Sequence, residues 1–368
     1  MRTFLCLLFF STLLFGQNYF TEKYHPFVDG IQSPESFLGY KIGSQHTRHD
    51  QIVAYLEYLS NNSEHAEISY YGKTHERRKL PILAISSETH LLNSEGIKKA
   101  HVNFALGNTI EEPKIPLIIN LGYNVHGNEP SSSEAALLTA YTLVASQHSQ
   151  IRDFRDEAIL FVDPTINPDG RDRHTQWANM YKASPLVSDP RDAEHNEAWP
   201  RGRTNHYWFD LNRDWLLAIN PESQGKLDWY HQWYPNVVTD FHEMGTQSTY
   251  FFEPMKANGS LDPIMPKENY KQLNDIFATY FSKQLDSVGS LYFTKEVFDG
   301  TYPGYGSSYP DLQGGLALLF EQASSRGLKQ KTPSGEITFP FTIRNQYISS
   351  LATVQAAVEN KSTLRKYQ

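Results

Sequence analysis

The chain has 368 residues, of which 39% are hydrophobic and 13% aromatic, with one cysteine at Cys6 and a formal net charge of −8. That hydrophobic content supplies a core and excludes intrinsic disorder as the main state, while the acidic balance argues against nucleic acid or an anionic membrane surface as a partner. No heptad run or short repeat is visible, which disfavours coiled coils and solenoids.

Residues 1–16 read as a secretory signal peptide. Arg2 supplies the positive start, residues 4–15 are apolar, and Gly16-Gln17 marks the expected cut. The apolar stretch is too short for a bilayer span, which takes about 20 residues. The expectation is export to a periplasm or the extracellular space, with no membrane span in the mature chain. Cleavage removes Cys6, so the mature chain has no disulfides and any metal must be held by nitrogen and oxygen. Structural zinc sites are mostly cysteine-rich, so a metal here points to catalysis. Residues 17–47 read as an N-terminal extension, too short for an independent inhibitory domain. No Pro/Ser-rich linker follows, and 48–366 reads as one catalytic domain.

Residues 51–60 have helical spacing (Ile52, Val53, Leu56, Leu59), and two strand-like runs follow at 67–71 and 80–85. An apolar run at 115–121 leads to His126. Residues 131–144 form a predicted helix behind Pro130, with serines as caps. A second run at 159–162 precedes Asp163, and 167–205 reads as a long polar excursion carrying Arg171, Arg173, Arg191, Arg201 and Arg203. A helix at 222–233 leads into a run at 237–241 that ends at His242. After an amphipathic segment at 269–285 comes a glycine- and tyrosine-rich loop at 299–315. The run at 316–320 meets Glu321 directly, and a last helix is predicted over 345–358.

Short continuous apolar runs are what strands buried on both faces look like. Their alternation with helices predicts an α/β fold: a single domain with a mixed, mostly parallel central sheet flanked by helices. In such sheets ligands gather outside the carboxyl ends of strands, which is where His126, His242 and Glu321 fall. Long loops in compact domains are usually functional.

His126-Gly127-Asn128-Glu129 sets an imidazole and a carboxylate three positions apart just after a strand. That spacing lets both converge on one ion. A catalytic zinc takes three protein ligands plus water, and a His₂Glu set suits it. The third ligand must come from far along the chain. His242 stands at an equivalent strand end, with His206, near the same loops, as its competitor. His75, His90 and His148 sit in polar runs and read as solvated. Other motifs fail: Gly72-Lys73-Thr74 lacks the upstream glycine of a phosphate loop, Gly304-x-Gly306 lacks a third glycine, and no Gly-x-Ser-x-Gly elbow exists.

The series His126-Gly127-Asn128-Glu129, Asn167-Pro168-Asp169-Gly170, Asp210-Leu211-Asn212-Arg213, His242 and Phe320-Glu321 resembles the zinc carboxypeptidase family, the carboxypeptidase A-like metallopeptidases. Order and spacing are comparable over residues 71–321, and Tyr71-Gly72-Lys73-Thr74 with Glu76-Arg77-Arg78 extends the likeness upstream. The resemblance implies a zinc-exopeptidase, carboxypeptidase-like fold with one Zn²⁺ per chain on His126, Glu129 and His242. Carboxypeptidase A is itself a His₂Glu enzyme, so this ligand set leans on the resemblance. Glu321 matches the general base, and Asn212 with Arg213 match the pair that grips the substrate's terminal carboxylate. Arg203 matches the arginine that stabilises the oxyanion, with Arg201 a close rival. Tyr302 matches the mobile tyrosine over the substrate, with Tyr305 next. Asp210 matches a carboxylate that orients the first zinc histidine. Asn128 stands where some members carry arginine.

Residue chemistry agrees with these matches. The planar fork of arginine gives a carboxylate two parallel hydrogen bonds. A metal-bound histidine donates its other nitrogen to a carboxylate or carbonyl. The implied activity is hydrolysis of the C-terminal bond of peptides or proteins by a zinc-activated water. Two other readings stay open: a zinc amidohydrolase of N-acyl amino acids, and a catalytically silent metal- or peptide-binding protein. Asn167-Pro168-Asp169-Gly170 and the late Glu321 stand against the first; the presence of base and ligands stands against the second. Ser307, Ser308 and Asp311 are candidates to line the specificity pocket, although Asp311 reads more simply as a turn residue.

Overall fold

The computed structural model describes residues 19–257 and 262–368; the expected leader at 1–16 lies outside the described residues. One sheet contains β1 (Ala66–Lys73), β2 (Lys79–Ile85), β3 (Leu117–Tyr123), β4 (Ala158–Asp163), β5 (Val237–Met244), β6 (Tyr250–Phe252) and β7 (Leu316–Ala323). Their order is β1-β2-β4-β3-β5-β7-β6. Strands β4, β3, β5 and β7 run parallel, while β2 joins β4 and β6 joins β7 antiparallel. Strands β3 and β4 are buried along their whole length, which is why they read as unbroken apolar runs.

Helices cover both faces of the sheet. On one, His49–Asn61, Ser131–Ala145, Asn274–Ser287 and Phe339–Glu359 bring Leu56, Leu137, Phe281 and Ile343 into a core with Ile119, Leu121 and Phe320. On the other, Pro221–Trp233 sets Leu227, Trp229 and Trp233 among Ile118, Ile159 and Phe161. Fully burying such side chains contributes about 1.5–3 kcal/mol each, which stabilises a domain without disulfides. None of the helices in the described residues is long and apolar enough to cross a membrane.

One segment departs from the expectation. The polar stretch at 167–205 contains the helix Pro168–Tyr181. The Asn167 side chain caps it by accepting the Gly170 N–H at 3.0 Å, and Pro168 opens its first turn. The inward face of this helix is polar: Arg171 is fully buried, 2.7 Å from Glu134, and also donates to the carbonyls of Thr47 and Pro130. A charged pair thus stands where an apolar stripe is the usual helical signal. The extension is sewn onto the body, since Val28 N–H donates to Ala145 O at 2.8 Å and Thr47 donates to Glu134.

With β4 on one side of β3 and β5 on the other, the winding reverses at β3. A crevice opens at the carboxyl ends of β3 and β5, the place where open α/β sheets take ligands.

Candidate metal centre

The turn that follows β3 is held by residues with special backbone freedom. Asn124 is left-handed at φ 58, a conformation asparagine tolerates. Its Nδ2 donates to the carbonyls of His126 and Glu129, both at 2.9 Å, closing the turn that carries those two side chains. At Gly127 an added Cβ would overlap the backbone of Gly170 and Arg171, and at Gly170 it would overlap the Gly202 carbonyl. Glycine alone permits the contact. His126-Gly127-Asn128-Glu129 and Asn167-Pro168-Asp169-Gly170 are therefore two halves of one packing unit.

Three buried side chains converge here. The Nδ1 atoms of His126 and His242 are 3.1 Å apart, and Glu129 presents Oε1 to the first and Oε2 to the second at 3.0 Å each. Their donor atoms lie within 4.8 Å of one another, the spacing of a site that could hold a metal ion. Each outer nitrogen faces a carboxylate: His126 Nε2 is 2.9 Å from Asp210 and His242 Nε2 is 2.8 Å from Asp240. Such partners fix the ring and raise its basicity. Burial opposes it, yet Asp240 and Glu129 push the His242 imidazole well above its ordinary value. Burial likewise opposes ionisation of Asp210, but His126 and the Arg203 and Arg213 guanidiniums hold it far below the carboxylate range.

A cavity of about 280 Å³ opens on the triad, with Arg203, Arg213, Tyr305, Ser307 and Glu321 in its wall. A larger one, about 490 Å³, lies at Tyr71, Trp229 and Trp233 and includes none of the triad. Arg203 donates to Asp210 Oδ2 at 2.9 Å and to Glu129 Oε1 at 3.3 Å. Asn212 donates to Asp240 at 3.1 Å and accepts the Gly306 N–H at 2.7 Å, which ties the 299–315 loop to the site. The Arg213 guanidinium lies 4.6 Å over the Tyr305 ring. Glu321 sits beside His242, and burial pushes its carboxyl up to about 8, with His242 opposing and Glu129 reinforcing.

The remaining sequence candidates divide between the cavity and other places. Tyr302 is outside the cavity wall and donates its hydroxyl to the Arg213 carbonyl at 3.0 Å; Tyr305 lines the cavity. Arg201 lines a neighbouring cavity, and His206 faces Glu76 at the surface, 3.0 Å away. Ser307 reaches the cavity, whereas Ser308 donates to the Gly300 carbonyl and Asp311 accepts from Ala317 N–H and Asn269. Two supporting residues escaped the sequence reading. Asp240 was visible in principle, since two positions before His242 on a strand is the same face. Glu243 accepts the Ser131 N–H at 2.8 Å, fixing the start of the helix behind the site.

A sequence profile of the zinc carboxypeptidase family matches residues 52–311. No curated protein matches the chain. Among solved structures, the fold is similar to a metallo-carboxypeptidase from Burkholderia cenocepacia, with 13% identity, a TM-score of 0.57, and coverage of 85% of this chain and 69% of that one. It is similar to carboxypeptidase A from Helicoverpa armigera, at 15% identity and a TM-score of 0.58 over 90% and 77%. A metallo-carboxypeptidase from Pseudomonas aeruginosa, in complex with (2-guanidinoethylmercapto)succinic acid, gives 14% identity and 0.56 over 87% and 70%. At these identities the likeness is one of fold.

Proposed function

The chain belongs to the zinc carboxypeptidase family, and on that premise we propose that it is an exported enzyme that removes the C-terminal residue from peptide or protein substrates, with one zinc ion on His126, Glu129 and His242 and with Glu321 as general base. The observation that carries this reading is the convergence of the three donor atoms within 4.8 Å, beside a carboxylate on the next strand.

The donor set suits zinc: two imidazole nitrogens and a carboxylate, buried, with both rings oriented from behind by Asp210 and Asp240. Zinc in such a set acts as a Lewis acid and lowers the pKa of water from about 15.7 to about 7. Glu321 takes the proton that the attacking water loses and returns it to the departing amine nitrogen. General acid–base work of this kind contributes about 10²–10⁴-fold, and a carboxyl raised toward neutrality by burial suits it. Arg203 brings a positive charge beside Glu129, where the carbonyl oxygen gains negative charge as the bond is attacked. Arg213, backed by the Tyr305 ring, offers its fork to the substrate's terminal carboxylate. Asn212, whose Nδ2 donates to Asp240 and lies 3.0 Å from His242 Nε2, stands beside Arg213 in the same cavity wall.

Mass spectrometry of peptide digests tests the reading. Loss of single C-terminal residues, abolished by a zinc chelator, restored by zinc and absent on C-terminally amidated peptides, is the expected result. Chelator-insensitive cleavage, or cleavage of an N-acyl amino acid in preference to a blocked dipeptide, would overturn it.

A further inference from the structure

A second cavity, about 310 Å³, adjoins the first and has no part in the scheme above. It is lined by Asn128, inside the His126–Glu129 turn, and by Thr246, two residues beyond the Met244 that lines the catalytic cavity. Glu197, Arg201, Arg326 and Gln330 also line it. The carboxylate present is already committed. One Glu197 oxygen is 2.9 Å from His174 Nδ1 and accepts the Gly202 N–H at 3.1 Å, and the other accepts from Asn128 at 2.8 Å. The arginines are not committed: neither the Arg201 nor the Arg326 guanidinium has a carboxylate partner among the described residues.

Both arginines also have left-handed backbones, at φ 63 and φ 56. That conformation costs a residue with a Cβ about 1–2 kcal/mol. Unpaired guanidiniums on the polar wall of an open cavity, Arg201 exposed and Arg326 partly buried, form a receptor for a carboxylate, which each can bind through paired hydrogen bonds.

We propose that this cavity is a subsite for a carboxylate side chain of the substrate, on a residue upstream of the bond that is cut, so that the enzyme favours acidic segments. The inference rests on the proposed C-terminal hydrolysis. With the terminal carboxylate at Arg213, on the Tyr305 and Ser307 side, the rest of the peptide leaves past Asn128 and Thr246. The chain as a whole carries a net charge of −8 and repels acidic peptides. The two arginines supply a local exception.

The test uses zinc-loaded protein and N-blocked peptides that share a C-terminal residue and carry Glu, Gln or Lys at successive upstream positions. At one position Glu should exceed Gln by about tenfold in kcat/KM, mostly through KM, and the preference should shrink in high salt. Arg201→Gln and Arg326→Gln should each lower the Glu-to-Gln ratio, and the double variant should bring it to about one. A wild-type ratio of one at every position, or an unchanged ratio in the double variant, overturns the subsite. If no peptide is cut, C-terminal hydrolysis itself fails, and binding decides the subsite alone. Dye-labelled Glu-rich peptide should then bind more tightly than its Gln-rich counterpart by anisotropy, and only with both arginines present; equal binding overturns the subsite.

Discussion

His242 and Glu321 are direct register partners on the adjacent parallel strands β5 and β7. An imidazole of the candidate metal centre and an ionisable carboxyl are therefore positioned by backbone hydrogen bonding, on rigid elements and not on loops. His126 and Glu129 reach them from the end of β3, the other neighbour of β5.

Asp240 should matter to metal affinity more than to folding. Asp240→Asn keeps the shape but removes the charge that makes His242 basic. Zinc affinity, measured by competition with a chromophoric chelator, should fall about 10–100-fold. Because His126 and His242 both have raised pKa values, zinc uptake should also release protons at neutral pH and weaken steeply in acid. Unchanged affinity in the variant would contradict the orienting role.

Gly127→Ala should be among the most damaging single changes outside the ligands. The new methyl group would meet the backbone of Gly170 and Arg171, which cannot move aside as a flexible side chain can. Overpacking typically costs about 1–3 kcal/mol, with more expected here because the neighbour is backbone. Chemical denaturation should show that loss together with reduced zinc content; a variant of wild-type stability would contradict the packing argument.

The acid limb of activity should lie above the ordinary carboxylate range. Burial pushes Glu321 from 4.5 up to about 8, and a divalent cation beside it draws the value back down. A base works only when deprotonated, so kcat/KM should rise with pH through a value between those limits. An acid limb at or below 4.5 would remove Glu321 from that role.

A separate pH effect concerns stability. Burial pushes the Asp311 carboxyl from 3.8 up to about 8, despite hydrogen bonds from Ala317 N–H and Asn269. The folded chain then holds a proton that the unfolded chain releases. The contribution of Asp311 to stability is fully present below about pH 4 and is lost as pH rises toward about 8. Asp311→Asn should flatten that decline in urea titrations across the range. The same slope in variant and wild type would place the effect elsewhere, with buried Glu253 the first alternative.

The sheet and the His126–Glu129 pair were legible because both announce themselves locally, whereas His242 as the third member leaned on the family resemblance. Buried parallel strands leave continuous apolar runs, and each run ended in a residue with chemistry at its carboxyl end. What stayed hidden depends on contacts across the chain. The helix Pro168–Tyr181 escaped because Arg171 buries a charge against Glu134, inverting the apolar stripe that marks a helix. Tyr302 and Tyr305 stand in one glycine-rich loop with no spacing rule to separate them. Only the fold sends one hydroxyl to the Arg213 carbonyl and the other ring to the cavity. Arg201 and Arg203 diverge in the same manner, Arg203 reaching Glu129 and Asp210 while Arg201 lines the neighbouring cavity.

Zinc content and single-turnover peptide hydrolysis, measured together on Glu321→Gln and wild type, test the account most directly. One zinc per chain in both, with turnover in the variant lower by a factor of about 10²–10⁴, is the predicted outcome. A variant that binds its zinc and still hydrolyses peptides within a few-fold of wild type would contradict it.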